Sequence, residues 1–121
     1  MVIELNESNF EEEVLNSDKT VLVDMFATWC GPCQIMSPLI EELSEENLPN
    51  IKICKLDIDE SGDIAIRYGV MSIPTFLIFK KGEVVNSFVG VTDIDDIKNA
   101  LLKDWYKWQH YIACLHLLFG E

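Results

Sequence analysis

The segment TVLVDMFA, residues 20–27, restricts the fold of this chain more than any other stretch of its sequence. Its side chains are apolar at almost every position and several are β-branched, whereas a strand with one solvated face would alternate apolar and polar residues. A run of this kind predicts a strand that is covered on both faces, as in the parallel centre of an α/β domain. Asp24 is the exception in the middle of the run, and a buried carboxyl group there requires an explanation.

A helix and a second buried strand are predicted directly after this first strand. The helix should cover about residues 33–46 and bend at Pro38, because a proline ring removes one backbone donor and crowds the preceding turn. Its apolar side chains at core spacing are Ile35, Met36, Leu39, Ile40 and Leu43. Residues 51–58 are the second strand candidate, so strand, helix and strand predict a right-handed parallel crossover.

The N-terminal residues predict one more strand and one more helix. Residues 2–5 are a short strand candidate. Ser8 and Glu11 have the spacing of a capping box, and Phe10 and Val14 fall on one face of the helix that would follow.

The C-terminal half predicts a hairpin between two helices. Residues 61–68 can form a short helix closed by Gly69, and two apolar runs joined at Lys81 and Gly82 predict a β-hairpin. Thr92 or Asp93 should cap a last helix. The chain therefore predicts an α/β fold whose mixed sheet is parallel at its centre and antiparallel on one side, with helices on both faces.

Composition limits the kind of protein this chain can be. Its 121 residues fit one domain, and 49% hydrophobic residues are enough for a core without stapling metals or many disulfides. The net charge of −12 repels phosphate backbones, which disfavours nucleic-acid binding. No apolar run is long enough to span a membrane, and the first residues lack the pattern of a secretory signal, so we expect a cytoplasmic protein.

Two cysteines stand in the stretch ATWCGPCQIM, residues 27–36, which joins the first central strand to its helix. Cys30 should lie just past the carboxyl end of the strand, the edge at which open α/β sheets place functional sites, and Cys33 should begin the helix. A helix N-terminus stabilises an anion, so a thiol there loses its proton more readily and becomes the nucleophile of disulfide exchange. Pro32 would occupy the first helical turn, where its missing donor costs little.

Metal binding and structural crosslinking are weaker interpretations of the same pair. A metal site needs two further ligands, and no second CxxC or finger-like spacing exists among Cys54, His110, Cys114 and His116. Cys54 lies in an apolar strand, where a small inert side chain is the ordinary expectation. A ring as small as CxxC also constrains little of the unfolded chain, so the sequence favours exchange chemistry and no metal.

Asp24 and Pro74 are two further candidates for the same site. A buried Asp24 should be protonated or partnered, and Lys55 in the neighbouring strand is the candidate partner. It would then act as a proton acceptor close to Cys33, although a register that places Asp24 on a wetter face stays open. Pro74, in SIPT before a buried strand, is a candidate cis peptide, although proline statistics alone favour the trans form.

These features occur in one order that resembles the thioredoxin family. They are WCGPC, an aspartate six residues before its first cysteine, the mid-helix Pro38, KLDID and IPT, and the match covers about residues 2–102. The resemblance implies a thioredoxin fold, with a central mixed five-stranded sheet flanked by four helices. It also implies a protein disulfide reductase, and Gly-Pro between the cysteines goes with a strong reductant in that family.

The resemblance further implies a role for each site residue. Cys30 would attack substrate disulfides and Cys33 would resolve the mixed disulfide, which closes a redox-active Cys30–Cys33 bond, while Asp24, supported by Lys55, would be the acid–base group. The backbone of Ile73 would bind an extended substrate segment by strand addition. The substrate-binding rim would comprise Trp29, Gly31, Pro32, Ile73, cis Pro74, Gly90 and Val91, with glycine at position 90 leaving room for the approaching backbone.

The implied partners are disulfide-containing protein substrates and a thioredoxin reductase, a flavoprotein that restores the dithiol. No cofactor should bind this chain, because it has no Gly-rich phosphate loop. A rival hypothesis is a binding module that serves partners as a scaffold without turnover. The presence of both cysteines, Asp24 and Pro74 favours retained redox chemistry over that rival.

The chain departs from the family at Gln34, where many relatives carry a basic residue, and in its tail. We predict a thioredoxin domain at residues 1–102 and an atypical apolar and aromatic extension at 103–121. A helix continued into the extension would carry an apolar seam at Leu101, Trp105, Trp108, Ile112, Leu115 and Phe119. The extension can pack on its own domain, mediate self-association or partner docking, or be a foreign appendage, and the seam favours docking over an appendage.

Overall fold

The computed structural model describes residues 1–103, and its strands follow the apolar runs of the sequence. They are β1 (Ile3–Leu5), β2 (Thr20–Phe26), β3 (Ile51–Asp57), β4 (Thr75–Lys80) and β5 (Glu83–Val89). The spatial order is β1-β3-β2-β4-β5, with β3 parallel to both β1 and β2, and with β4 antiparallel to both β2 and β5. The predicted mixed sheet with a parallel centre and one antiparallel side is confirmed.

Four helical segments within residues 1–103 cover the sheet. They are a π-helical turn (Glu11–Leu15), α1 (Gly31–Glu45), α2 (Gly62–Arg67) and α3 (Ile94–Leu102). The π-helical turn and α2 contribute to one apolar core, and α1 and α3 contribute to a second. Because alternate residues of β2 enter the two cores, every residue of Val21–Met25 is buried. None of the helices within residues 1–103 is long and apolar enough to cross a membrane.

The predicted capping box at Ser8 and Glu11 is wrong, because Asn6 organises this turn instead. The side-chain oxygen of Asn6 accepts the backbone N–H groups of Ser8 at 2.8 Å and Asn9 at 3.0 Å. Phe10 occupies the cap position of the π-helical turn, without a side-chain cap bond. In a capping box the Glu11 side chain would accept the Ser8 N–H, and Asn6 takes that donor instead.

Helix α1 begins two residues earlier than predicted and buries a narrower face. Its buried apolar positions include Met36, Ile40 and Leu43, but Ile35 is 59% exposed. An α-helix turns by about 100° per residue, so a residue directly beside a core position points away from that core.

Helix α3 ends at Leu102, although the sequence pattern was compatible with a helix that continues into the extension. Asp93 caps it, as predicted, by accepting the Asp95 N–H at 2.9 Å. Lys103 then leaves the helix with φ −70° and ψ 145°, so α3 does not run unbroken into the apolar extension. The remainder of the predicted seam, residues 104–121, lies outside the described residues.

Candidate active site

Cys30 and Cys33 lie at the junction of β2 and α1 and are joined by a disulfide bond. Cys30 rather than Cys33 occupies the cap position of the helix, and its Sγ accepts the backbone N–H of Cys33 at 3.2 Å. The two Cα atoms are 5.2 Å apart, and each cysteine is 5% exposed. The Cys30 sulfur therefore lies at the N-terminus of α1, and Cys33 follows three residues later in the first turn of the helix.

The loop before β4 closes over this disulfide. The Ile73–Pro74 peptide bond is cis, as expected, and the carbonyl oxygen of Ile73 lies 3.8 Å from Cys30 Sγ. The Gly90 N–H donates to the Pro74 carbonyl oxygen at 2.8 Å, which ties the end of β5 to the same loop. Three predicted rim residues from distant parts of the sequence are thus brought together beside the sulfur pair.

Gly90 is required by its backbone conformation. Its φ of +82° lies in the left-handed region, which residues other than glycine rarely adopt. A Cβ built at this position would meet no atom within 4 Å. Within the described residues, the need for glycine here is therefore conformational rather than steric.

Exposed residues occur next to the two cysteines in the chain and in the loops that precede β4 and follow β5. Trp29 is 69% exposed and Val91 is 58% exposed, and both Gly31 and Pro32 are exposed in the first turn of α1. Met71, two residues before Ile73, is 96% exposed and was missed by the sequence analysis. An apolar residue in a loop that precedes the cis proline was the signal that could have identified it.

Asp59 was also missed, although it orients the largest side chain of this surface. The Trp29 indole N–H donates to its carboxylate at 2.8 Å. The Asp59 backbone N–H is in turn held by the Asp57 side chain at 2.9 Å. The motif KLDID contains Asp57 and ends on Asp59, but the partner of Asp59 lies 30 residues earlier in the chain.

Asp24 is buried behind the disulfide, as predicted, with 6% of its surface exposed. Its Oδ1 atom has no hydrogen-bond partner among the described residues. Burial raises the pKa of this carboxyl group from its ordinary value of 3.8 to about 7, although the positive charge of Lys55 lowers it in part. A cavity of about 210 Å³ joins the carboxyl group to α1, and it is lined by Asp24, Phe26, Ala27, Thr28, Cys33, Gln34, Ser37 and Lys55.

Lys55, the predicted partner of Asp24, forms its ion pair with Glu4 instead. It stands opposite Asp24 in the β2–β3 register, but its Nζ atom binds Glu4 of β1 at 3.4 Å and lies 6.0 Å from the centre of the Phe26 ring. Pairing with the exposed Glu4 leaves the ammonium group partly solvated, whereas pairing with Asp24 would desolvate two charges. Lys55 therefore acts on Asp24 through its field rather than by contact.

The remaining cysteine of the described residues is inert. Cys54 is completely buried in β3, and burial raises the pKa of its thiol to about 12. Within residues 1–103, no three histidine, cysteine or acidic side chains are grouped to hold a metal ion. The other candidate ligands, His110, Cys114 and His116, lie outside the described residues.

Comparisons with known proteins match nearly the whole of the described chain. A family model described as Thioredoxin matches residues 1–103. A thioredoxin of Rickettsia felis is 44% identical over 105 residues, which cover 87% of this chain and 95% of that protein. A thioredoxin of Chlorobaculum thiosulfatiphilum is 49% identical over 87 residues, which cover 72% and 81% of the two chains. A third, from Porphyra purpurea, is 40% identical over 102 residues, which cover 84% and 95%.

Proposed function

The chain belongs to the thioredoxin family and is a thiol–disulfide oxidoreductase, and we propose that it reduces protein disulfides with Cys30 as the attacking thiol. The observation that carries this order of attack is the hydrogen bond from the Cys33 N–H to Cys30 Sγ at the start of α1. After reduction, the same donor and the helix dipole stabilise a thiolate on Cys30. Cys30 Sγ also lies 3.8 Å from the carbonyl oxygen of Ile73, a residue of the proposed rim, whereas Cys33 lines the 210 Å³ cavity with Asp24.

The reaction has two exchange steps. The Cys30 thiolate attacks one sulfur of a substrate disulfide, forms a mixed disulfide and releases the other substrate sulfur as a thiolate, which takes up a proton. Cys33 then loses its proton, attacks Cys30 Sγ and releases the second substrate sulfur. The substrate gains two electrons and two protons, and the protein is left with the Cys30–Cys33 bond.

Asp24 is the proton acceptor in the second step. It lines the same cavity as Cys33, and a pKa of about 7 leaves it about half ionised at neutral pH. An ordinary carboxylate is too weak a base for this transfer, because it holds a proton only in acid. Lys55 supports Asp24 electrostatically from the opposite strand.

Protein substrates bind across the apolar rim. A peptide in extended form can pair with the backbone of Ile73 and lie against exposed apolar side chains beside Cys30. The proposed contact residues are Trp29, Gly31, Pro32, Ile73, Pro74, Gly90 and Val91. The chain as a whole carries a net charge of −12, which favours substrates with basic sequences.

A thioredoxin reductase returns the protein to its dithiol form in the cytoplasm, where thiols are kept reduced. The redox group is the sulfur pair of the chain itself, so electrons need only reach the Cys30–Cys33 disulfide. Reductase and substrates would use the same rim in turn.

Three cysteine variants test this assignment, with dithiothreitol as the electron donor and a disulfide-containing protein as the substrate. Cys30→Ser should abolish turnover, and Cys33→Ser should accumulate a covalent adduct visible by mass spectrometry and removed by excess dithiol. Cys114→Ser is the matched control and should retain turnover. Turnover by Cys30→Ser, or no adduct with Cys33→Ser, would contradict the order of attack. Substrate binding without turnover by the unaltered chain would favour the scaffold hypothesis.

Residues 103–121 form an extension that follows the redox domain of residues 1–102, and they provide a surface for self-association or partner docking. The proposal rests on the apolar and aromatic composition of this segment. Sizing of the full chain against a version that ends at Leu102 tests it. Two monomeric profiles would reject self-association.

A further inference from the structure

Glu4, Lys55 and Asp24 occupy one row across three neighbouring strands. Glu4 is paired with Lys55 in the β1–β3 register, and Asp24 is paired with Lys55 in the β2–β3 register. Paired residues of adjacent strands point to the same face of the sheet. Exposure falls along this row from the Glu4 side chain, at 80%, through that of Lys55, at 35%, to the buried Asp24.

Lys55 stands between two acidic residues, Glu4 and Asp24, in the register of the sheet. Lys55 lines the inner cavity with Asp24 and Cys33, and it also lines an outer cavity of about 380 Å³ with Glu4. Its ion pair is with Glu4, at 3.4 Å from Nζ to Oε1. The carboxyl group that needs a cation more, by its burial, is therefore the one that does not contact it.

We propose that Glu4 is a positioning residue for the resolving step, because it draws the Lys55 ammonium group away from Asp24 and so sets the pH range in which Asp24 exchanges a proton with Cys33. This inference rests on the proposed role of Asp24 as the base. It assigns to an exposed residue of the edge strand an effect on chemistry in the inner cavity.

The other groups around Asp24 do not provide the same effect. Toward α1 it faces Cys33, Gln34 and Ser37, and its partner in β4 is the apolar Phe76. Beyond Lys55, the outer cavity also contains the acidic Asp57 and Glu60. Neither forms an ion pair with Lys55 in the described part of the chain, so of the acids near this lysine Glu4 alone contacts it there.

Removing the Glu4 charge should affect the ionisation of Asp24 in two ways that act in the same direction. A negative charge near Asp24 disappears, and Lys55 is released to approach the Asp24 carboxylate, and both changes favour the ionised form of Asp24. Glu4→Gln should therefore lower the pKa of Asp24. The exposed ion pair itself contributes little to folding stability, so the global fold should be unaffected.

The experiment follows the Asp24 carboxyl carbon by NMR as a function of pH, in the oxidised full chain. Asp24→Asn identifies the signal by its loss. In Glu4→Gln the titration midpoint should fall by about 1 pH unit, the lower end of the effect of a nearby opposite charge. Glu7→Gln makes the same change in net charge at an exposed residue that lines neither of these cavities, and it should keep the original midpoint. An unchanged midpoint in Glu4→Gln would overturn the inference.

A double variant tests whether the effect passes through Lys55. Lys55→Met should raise the Asp24 midpoint, and adding Glu4→Gln in that background should produce little further change. If Glu4→Gln lowers the Asp24 midpoint by the full amount in the Lys55→Met background, Glu4 acts on Asp24 directly, which contradicts a positioning role.

A kinetic measurement separates this inference from the proposed function. The pH profile of mixed-disulfide resolution should move to lower pH in Glu4→Gln, in parallel with the NMR midpoint. If Asp24→Asn leaves that profile unchanged, Asp24 is not the base and the proposed function fails on that point. The NMR midpoint would still decide whether Glu4 controls the ionisation of Asp24.

Discussion

Cys33 and Asp24 come from different elements, a helix and the central strand, and they line the same cavity of about 210 Å³. The thiol and the carboxyl group that we propose to exchange a proton thus line one partly open pocket. Burial costs free energy when the carboxylate is charged, and that cost is what places its pKa near neutrality.

Replacement of this carboxyl group should stabilise the fold in a pH-dependent manner. The folded pKa of about 7 lies above 3.8, so the folded state binds the proton more tightly, and stability falls as pH rises through that interval. Asp24→Asn removes a penalty of up to about 4 kcal/mol above neutral pH, since each pH unit is worth about 1.4 kcal/mol. Urea denaturation at about pH 8 should show a larger gain than at about pH 5. Equal gains at both would contradict this ionisation behaviour.

The same variant should slow the resolving step. Without a proton acceptor in the cavity, Cys33 must lose its proton to solvent, and the rate at neutral pH should fall by about 100-fold, the lower end of the contribution of a positioned base. Single-turnover release of substrate from the mixed disulfide measures this step. Formation of the mixed disulfide by Cys30 should change much less, which provides an internal control. An unaltered pH–rate profile would contradict the role of Asp24.

The contact between Trp29 and Asp59 should matter for large substrates. Asp59→Ala removes the acceptor of the indole N–H, so Trp29 is no longer oriented over the rim. We expect kcat/KM for a protein substrate to fall by roughly 2- to 10-fold, which corresponds to the loss of one hydrogen bond. A small-molecule disulfide that does not need the rim should react at an unchanged rate.

Asp63→Ala removes the same charge from an exposed position in α2 and is the matched control. If it reduces kcat/KM as much as Asp59→Ala does, the effect is due to charge rather than to the orientation of Trp29.

Three glycine-to-alanine variants should differ in stability for separate physical reasons. Gly90→Ala should lower the free energy of unfolding by about 1–2 kcal/mol, the cost of the left-handed conformation for a residue with a side chain. Gly82→Ala should lose more, because its φ is +80° and the new Cβ would lie 2.9 Å from the Leu15 carbonyl oxygen. Gly31→Ala meets neither problem and should lose nothing. Thermal unfolding of the three variants measures the order, and a Gly90→Ala variant as stable as Gly31→Ala would contradict the conformational argument.

The sequence by itself determined the fold class, the order of the strands along the chain and the position of the CxxC pair at the start of a helix. These depend on properties of nearby residues, namely apolar periodicity, turn residues and the spacing between motifs. The burial of Asp24 was predictable for the same reason, since a single polar residue interrupted an otherwise apolar strand. The capping box failed because Asn6, a competing local acceptor, lies two residues before Ser8.

Only the tertiary structure decided the partners of the side chains around the site. Lys55 has both Glu4 and Asp24 as neighbours because β3 lies between β1 and β2, and that order results from pairing between distant segments. Its ion pair is with Glu4. Asp59 reaches Trp29, and Ile73 reaches Cys30, for the same reason. Contacts of this kind depend on which elements become neighbours in space, and the residues themselves carry no local signal of that arrangement.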